Sequence, residues 1–280
     1  MTARDRRGMF LAIIVIASLI LIFSAYLVWE NSTFGTTTYT IEDDRLSGLK
    51  IVLVSDLHNA AFGVDNEKLA NQVTELDPDY VFFTGDTFDN NGQNNSFALI
   101  ERLSDYRRIF VSGNHEANLP LPEYEEIKAK LKDSGVIILE DSYYLAECGG
   151  KQFTVLGLDD PNVYSLSDQE SALEKRARSL TEPPTRPVLV LAHRPEYMPT
   201  YASLGYDYVF SGHAHGGQWR LFGRGVYTKS QGLFPKYTQG IYKDTRTTMI
   251  VSRGLGTSAP VPRIFNRPEI VVVEYVAEKQ

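Results

Sequence analysis

Residues 51–58 read Ile51-Val52-Leu53-Val54-Ser55-Asp56-Leu57-His58. An unbroken apolar run of this length marks a strand buried on both faces, and here a carboxylate and an imidazole follow it almost at once. The arrangement recurs along the chain. Residues 80–83 precede Gly85-Asp86, residues 109–111 precede Gly113-Asn114-His115-Glu116, and residues 188–191 precede Ala192-His193. Residues 208–210 precede Gly212-His213-Ala214-His215-Gly216-Gly217. The chain has five histidines, and all of them sit in these motifs.

Amphipathic segments separate the runs. Asp65 is expected to cap a helix that places Leu69, Val73 and Leu76 on one face and stops at Asp77-Pro78. Helices are also expected over 97–103, over 123–132 with Gly135 as the stop, and over 168–179. Residues 143–147 and 152–156 flank Gly149-Gly150 as a β-hairpin, while 249–252 and 270–276 add strands. The alternation predicts an α/β core with mixed strand directions.

At 280 residues the chain suits one large domain or a domain with an appendage. Residues 10–29 are almost wholly apolar and near the ~20 residues that a helix needs to cross a bilayer. The run exceeds the ~7–15 residues of a signal-peptide core, and no A-x-A-like site follows, so a retained single-pass anchor is expected. Arg4, Arg6 and Arg7 precede it; Glu30, Glu42, Asp43 and Asp44 follow before Arg45. That asymmetry keeps the N-terminus in the cytoplasm and the folded domain outside. The expected division is 1–29 cytoplasmic N-terminus and anchor, 30–48 a linker with room for an edge strand, and 49–280 the folded domain.

The net charge of −7 has no basic stripe of the kind that tracks a nucleic-acid backbone, so no nucleic acid partner is expected. The single Cys148 excludes an intramolecular disulfide and a cysteine-based zinc cluster, which leaves His, Asp, Asn and Glu for metal chemistry.

In α/β sheets, ligands gather beyond the carboxyl ends of strands, where all five motifs lie. Two aspartates and five imidazoles crowded there gain no stability unless cations balance the carboxylates. Metal is the economical explanation. Asp56 and His58, two apart on an extended segment, can face one ion. Asn114 and His115 suit either a neutral amide ligand beside a proton donor or a capping turn, and His213 and His215 can reach two adjacent ions. Arg194, Arg253 and Arg263 suit either a phosphate contact or structural ion pairing. Asp89, Glu116, Asp159 and Asp160 suit either ligand support or ordinary turns. The aromatic segment 219–242 suits either a wall for a lipid tail or sugar, or core packing.

The ordered set D-x-H, G-D, G-N-H-[DE], H, G-H-x-H resembles the calcineurin-like metallophosphoesterases over residues 50–274. Gly212-His213-Ala214-His215-Gly216-Gly217-Gln218, Ser252-Arg253-Gly254-Leu255-Gly256-Thr257 and residues 263–269 look like the bacterial membrane-associated branch, which includes YkuE-type phosphodiesterases and UDP-diacylglucosamine pyrophosphatases. The resemblance implies a four-layer α/β/β/α sandwich behind the N-terminal transmembrane helix. It implies one divalent ion on Asp56, His58 and His215, a second on Asn114, His193 and His213, Asp86 between them, and His115 as the catalytic proton donor. Manganese, iron or zinc suits such ligands. The implied activity is hydrolysis of a phosphodiester or pyrophosphate in an envelope lipid or nucleotide-linked precursor. A phosphomonoesterase with the same site and a metal-bound non-catalytic scaffold are the alternatives.

Overall fold

The computed structural model describes residues 3–279 apart from 91, 165, 166 and 258. It begins with helix α1 (Ala3–Ser32), whose apolar side chains stand exposed. By length and composition α1 is able to cross a membrane. The first half continues with β1 (Gly35–Glu42), β2 (Lys50–Val54), α2 (Glu67–Leu76), β3 (Tyr80–Thr84), α3 (Asn94–Arg102) and β4 (Arg107–Val111). The short α4 (Asn114–Ala117), α5 (Leu121–Asp133) and β5 (Ile137–Ile138) complete it.

The second half holds the hairpin β6 (Ser142–Cys148) and β7 (Lys151–Leu158), then α6 (Gln169–Ser179), β8 (Val188–Ala192), α7 (Met198–Leu204) and β9 (Tyr208–Ser211). Four two-residue strands follow: β10 (Arg220–Leu221), β11 (Arg224–Gly225), β12 (Tyr227–Thr228) and β13 (Gly232–Leu233). The chain ends with β14 (Gly240–Asp244), β15 (Thr247–Val251) and β16 (Glu269–Val276).

Two six-stranded sheets result, ordered β1-β16-β2-β3-β4-β5 and β14-β15-β9-β8-β7-β6. In the first, β2 to β5 run parallel and β16 is antiparallel to β2. In the second, β7, β8, β9 and β15 run parallel between antiparallel edges. The strand period of two sorts the apolar side chains into layers. Ile51, Leu53, Phe82 and Ile109 meet Phe153, Leu189, Leu191 and Phe210 between the sheets. Val52, Val54, Val81 and Phe83 face α2, α3 and α5 on one outer side, through Leu69, Val73, Leu99 and Ile127. Val188, Val190 and Val209 face α6 and α7 on the other, through Leu173, Met198 and Tyr201. The fold is a four-layer α/β/β/α sandwich. Each such core side chain contributes about 1.5–3 kcal/mol relative to exposure, so the strand ends are rigid supports for their loops.

Residues 30–48 contain β1, whose parallel register on β16 makes it the edge of the first sheet. Helix α2 starts at Glu67, one residue later than a cap at Asp65 would place it. Asp65 and Asn66 adopt left-handed backbone instead, because the buried Asn66 side chain accepts from the Phe62 N–H and donates to the carbonyls of Ala60 and Asn95. The end of α1 is fastened to the loop before β16. Tyr26 packs on Phe265, Arg267 lies over Trp29, and the Asn266 N–H donates to Glu30.

Candidate metal centre

The five motifs meet at one rim, beyond the carboxyl ends of β2, β3 and β4 in one sheet and β8 and β9 in the other. Backbone bonds stitch the loops together: Asp56 N–H to Gly85 O (3.0 Å), His58 N–H to Asp86 O (2.9 Å) and Gly212 N–H to His193 O (3.0 Å). Across the sheets, the His213 N–H donates to Asp56 Oδ1 at 2.9 Å. Asp56, His58, Asp86, His213 and His215 all have φ between 45° and 62°. Non-glycine residues in that region cost about 1–3 kcal/mol each and persist where the surroundings over-determine them. Gly85 (φ 88°) lets the loops close, since a Cβ there would lie 2.6 Å from Gly113 Cα and 2.8 Å from His193 Nδ1.

Three groups of donor atoms converge: His58, Asp89 and His115 form one, and the other two share a carboxylate. Asp56, His58, Asp86 and His215 bring one ligand atom each, all within 4.8 Å of one another, and Asp86, His193 and His213 form another such group. Asp86 belongs to both. His58 Nε2 and His215 Nε2 face each other at 3.4 Å, and His213 Nδ1 and His193 Nε2 at 3.1 Å. Facing ring nitrogens gain most from a cation between their lone pairs. The buried amide oxygen of Asn114 has no hydrogen-bond partner, a loss of about 1–3 kcal/mol that a cation would remove. The residues fit a dinuclear site.

Residues 49–217 match the calcineurin-like phosphoesterase family. The chain belongs to that family. Among its relatives, the metallophosphoesterases YkoQ and YkuE of Bacillus subtilis are 26% and 27% identical to it. The alignments cover 92% and 87% of this chain and 97% and 86% of those proteins. Phosphodiesterase YaeI of Escherichia coli is 25% identical over 83% of this chain and 84% of its own. UDP-2,3-diacylglucosamine pyrophosphatase LpxG of Chlamydia muridarum is 25% identical over 84% and 85%. The solved structure of TT1561 from Thermus thermophilus covers 74% of this chain and 90% of its own with a TM-score of 0.51 at 13% identity, a likeness of fold alone.

In this calcineurin-like phosphoesterase, buried groups outside the two donor sets that share Asp86 hold them in place. His193 Nδ1 faces the Thr84 carbonyl at 2.8 Å, which turns Nε2 toward Asp86 at 3.2 Å. Asp89 stands 3.3 Å from His58 Nδ1 and leaves Nε2 for the centre. The Glu116 carboxylate accepts the N–H groups of Asp86, Thr87, Phe88 and Gly113 at 2.7–2.9 Å, locking the β3 and β4 loops together. Burial and the Asp86 charge push its carboxyl up to about 7, against those donors.

The centre attracts positive charge. Burial alone would raise Asp86, but His193, His58 and His115 hold it well below the usual carboxylate range. His193 is pushed up to about 10 despite burial, because Asp86 and Asp56 face it. Burial and neighbouring cationic groups hold His213 and His215 well below their ordinary value, so both are neutral and free to donate lone pairs.

The three arginines all make structural contacts, and Arg194 also lines the pocket beside His213. Arg194 grips Asp160 through Nε at 2.6 Å and Nη2 at 3.1 Å, and Arg253 pairs with Glu269 at 2.6 Å. Arg263, buried, donates to the carbonyls of Arg253 and Gly256 and lies 3.2 Å from His215 Nδ1. Asp159 accepts from Ser112 Oγ, beside the Asn114 loop.

Sequence reasoning missed Glu196 and Lys229. With Asn114 and His213 they line a pocket of about 350 Å³ beside the donor groups. Glu196 has both carboxylate oxygens buried without a hydrogen bond and stands 3.6 Å from His213 Nε2. Its place three residues after His193 was the available signal. Lys229 carried none, since it arrives from the loop between β12 and β13.

Proposed function

We propose that the chain is a membrane-anchored, two-metal phosphoesterase that hydrolyses a phosphodiester or a pyrophosphate. Residues 1–29 serve as the anchor, 30–48 link it to the domain and supply the edge strand β1, and 49–280 carry the activity outside the cytoplasm. Asp56, His58 and His215 would hold one divalent ion, Asn114, His193 and His213 the other, and Asp86 both. The observation that carries this reading is the sharing of Asp86 by two converging donor groups beside the unpartnered Asn114 oxygen. Manganese, iron or zinc fits the mixed imidazole, carboxylate and amide set.

When bound, the ions supply charge that neutralises phosphate oxygens and lowers the pKa of the attacking water. The protein's own task is placement. The His115 backbone N–H donates to Asp86 Oδ1 at 2.8 Å, so the shared carboxylate also positions the proton donor. The His115 ring stands edge-on to His58 with 4.6 Å between centroids and is only partly buried, open to a leaving-group oxygen. Glu116 holds the backbone on either side of this pair.

The names of YaeI, a phosphodiesterase, and LpxG, a pyrophosphatase, support a phosphate with substituents on both sides. LpxG and α1 together support an envelope lipid or nucleotide-linked precursor as substrate. The direct test is manganese-dependent hydrolysis of bis-nitrophenyl and mono-nitrophenyl phosphate by the full-length chain in detergent. Preference for the diester, lost on chelation and in Asp86→Ala, is the expected result. Preference for the monoester would favour the phosphomonoesterase. Folded protein that binds two ions and cleaves neither ester would favour the scaffold.

A further inference from the structure

Residues 219–243 carry five basic side chains, Arg220, Arg224, Lys229, Lys236 and Lys243, and no acidic one, in a chain of net charge −7. Strands β10 to β13 form two small hairpins within this segment, and neither joins a large sheet. The tip of the first is Phe222-Gly223, with φ of 50° and 78°. Such a two-residue turn favours Asn-Gly or Asp-Gly, because both central residues take left-handed backbone. Here a phenylalanine occupies the first position and is 104% exposed.

Phe234 (φ 51°) and Phe265 (φ 52°) repeat the combination, 72% and 62% exposed. Among the described residues, these three are the only Phe, Tyr or Trp with positive φ. Each is unfavourable twice over. A bulky side chain strains left-handed backbone, and a large apolar group left in water forfeits its burial. The three tips make physical sense where another apolar phase receives them.

The position of α1 identifies that phase. Trp219 pairs with Ile264, and its indole N–H donates to the Pro262 carbonyl at 2.9 Å. One residue beyond Ile264, the Phe265 ring lies 5.5 Å from the Tyr26 ring of α1, and the Phe265 N–H donates to Tyr26 Oη at 2.8 Å. The hairpin lobe, the loop before β16 and the end of the apolar helix are therefore joined in one continuous surface. Lys229 of the same lobe also lines the pocket beside His213.

We propose that this surface docks on an anionic lipid layer next to α1, with Phe222, Phe234 and Phe265 inserted and Arg224 and Lys236 among the headgroups. Exposed aromatics beside basic side chains are the composition of an interfacial membrane contact. The pocket then opens at headgroup level and draws its phosphoester from the plane of the membrane. The inference rests on the anchored phosphoesterase reading and adds to it where the substrate is met.

The test uses the full-length chain in phosphatidylcholine nanodiscs with and without phosphatidylglycerol. Phe222→Trp and Phe234→Trp are placed singly in a background of Trp29→Phe and Trp219→Phe, and the lipids are brominated near the carbonyl. Docking predicts that either probe loses roughly half its emission, and more with phosphatidylglycerol than without. The triple variant Phe222→Ser, Phe234→Ser, Phe265→Ser should lose about tenfold or more on a vesicle-borne phosphodiester. On bis-nitrophenyl phosphate it should match the parent. Unquenched probes, or an unaltered rate on the vesicle-borne diester, would overturn the docking surface and leave the phosphoesterase reading standing. A parent chain inert toward bis-nitrophenyl phosphate would sink that reading, while the probes would still report docking.

Discussion

Asn31 and Arg263 exchange two hydrogen bonds: Asn31 Nδ2 donates to the Arg263 carbonyl at 3.0 Å, and the Arg263 N–H donates to Asn31 Oδ1 at 2.8 Å. The guanidinium of the same Arg263 lies against His215. The end of α1 thus grips a residue that braces a candidate metal ligand. Asn31→Ala removes partners from two backbone groups and should cost about 1–3 kcal/mol. For a domain of this size that is a fall in Tm of about 2–4 °C per kcal/mol, read by calorimetry of the full-length chain in detergent. An unchanged Tm would mean that the helix end and the domain are energetically separate.

Asp86 and Asp89 should part company under mutation. Asp86 is common to both donor groups, so Asp86→Asn should abolish binding of a second ion and lower turnover by orders of magnitude. Asp89 touches the centre through His58 Nδ1, and loss of such a partner typically costs about 10–100-fold in metal affinity. Asp89→Asn should recover its activity when manganese is raised, and Asp86→Asn should not. Metal titration followed by rate measurement distinguishes the two, and equal rescue would remove the sharing role from Asp86.

What could be read in the chain follows from how local the signal was. The runs 51–54, 80–83 and 188–191 are apolar throughout because each strand is covered on both faces, and the polar motifs behind them fall at strand ends by necessity. Their neighbours in space were not legible. Glu116 suits ligand support or an ordinary turn alike until β3 and β4 lie side by side and bring three further N–H groups to its carboxylate. Arg263 suits a phosphate contact or a structural role alike until the loop before β16 folds back on His215. Asp65 looks like a cap because nothing near it in sequence announces that Asn66 will bond to Asn95. Phe222 and Phe234 fit a lipid-facing wall and core packing equally in the sequence, since an apolar letter does not say which phase covers it, and only the fold leaves them exposed.

Asp159 gives a pH signature apart from the catalytic groups. Burial first, and then the charge of Asp141, push its carboxyl up to about 7 from an ordinary 3.8. A carboxyl raised on folding binds its proton more tightly in the native state. Its contribution is therefore fully present below the unfolded value, declines as pH rises from about 4 to about 7, and is flat above that. Asp159→Asn keeps the Ser112 contact without the charge and should lose this part of the slope. Melting of metal-free protein across pH 4 to 8.5 should find the variant gaining on the parent as pH rises, on the order of a few kcal/mol at the plateau. Parallel profiles would place the Asp159 carboxyl near its ordinary value.

His115 is assigned the leaving-group proton, and the leaving group is the handle for testing it. General acid catalysis contributes about 10²–10⁴-fold where the departing oxygen is a strong base. An alkoxide is such a base; a nitrophenolate departs with little help. His115→Ala should therefore lose about 10²–10⁴-fold on an alkyl diester but only about tenfold on bis-nitrophenyl phosphate, with two ions still bound. A plot of log kcat against leaving-group pKa should steepen in the variant, because charge on the departing oxygen is no longer neutralised in the transition state. A uniform loss at every leaving group would instead assign His115 to positioning of Asp86, through its backbone N–H and the packing of its ring on His58.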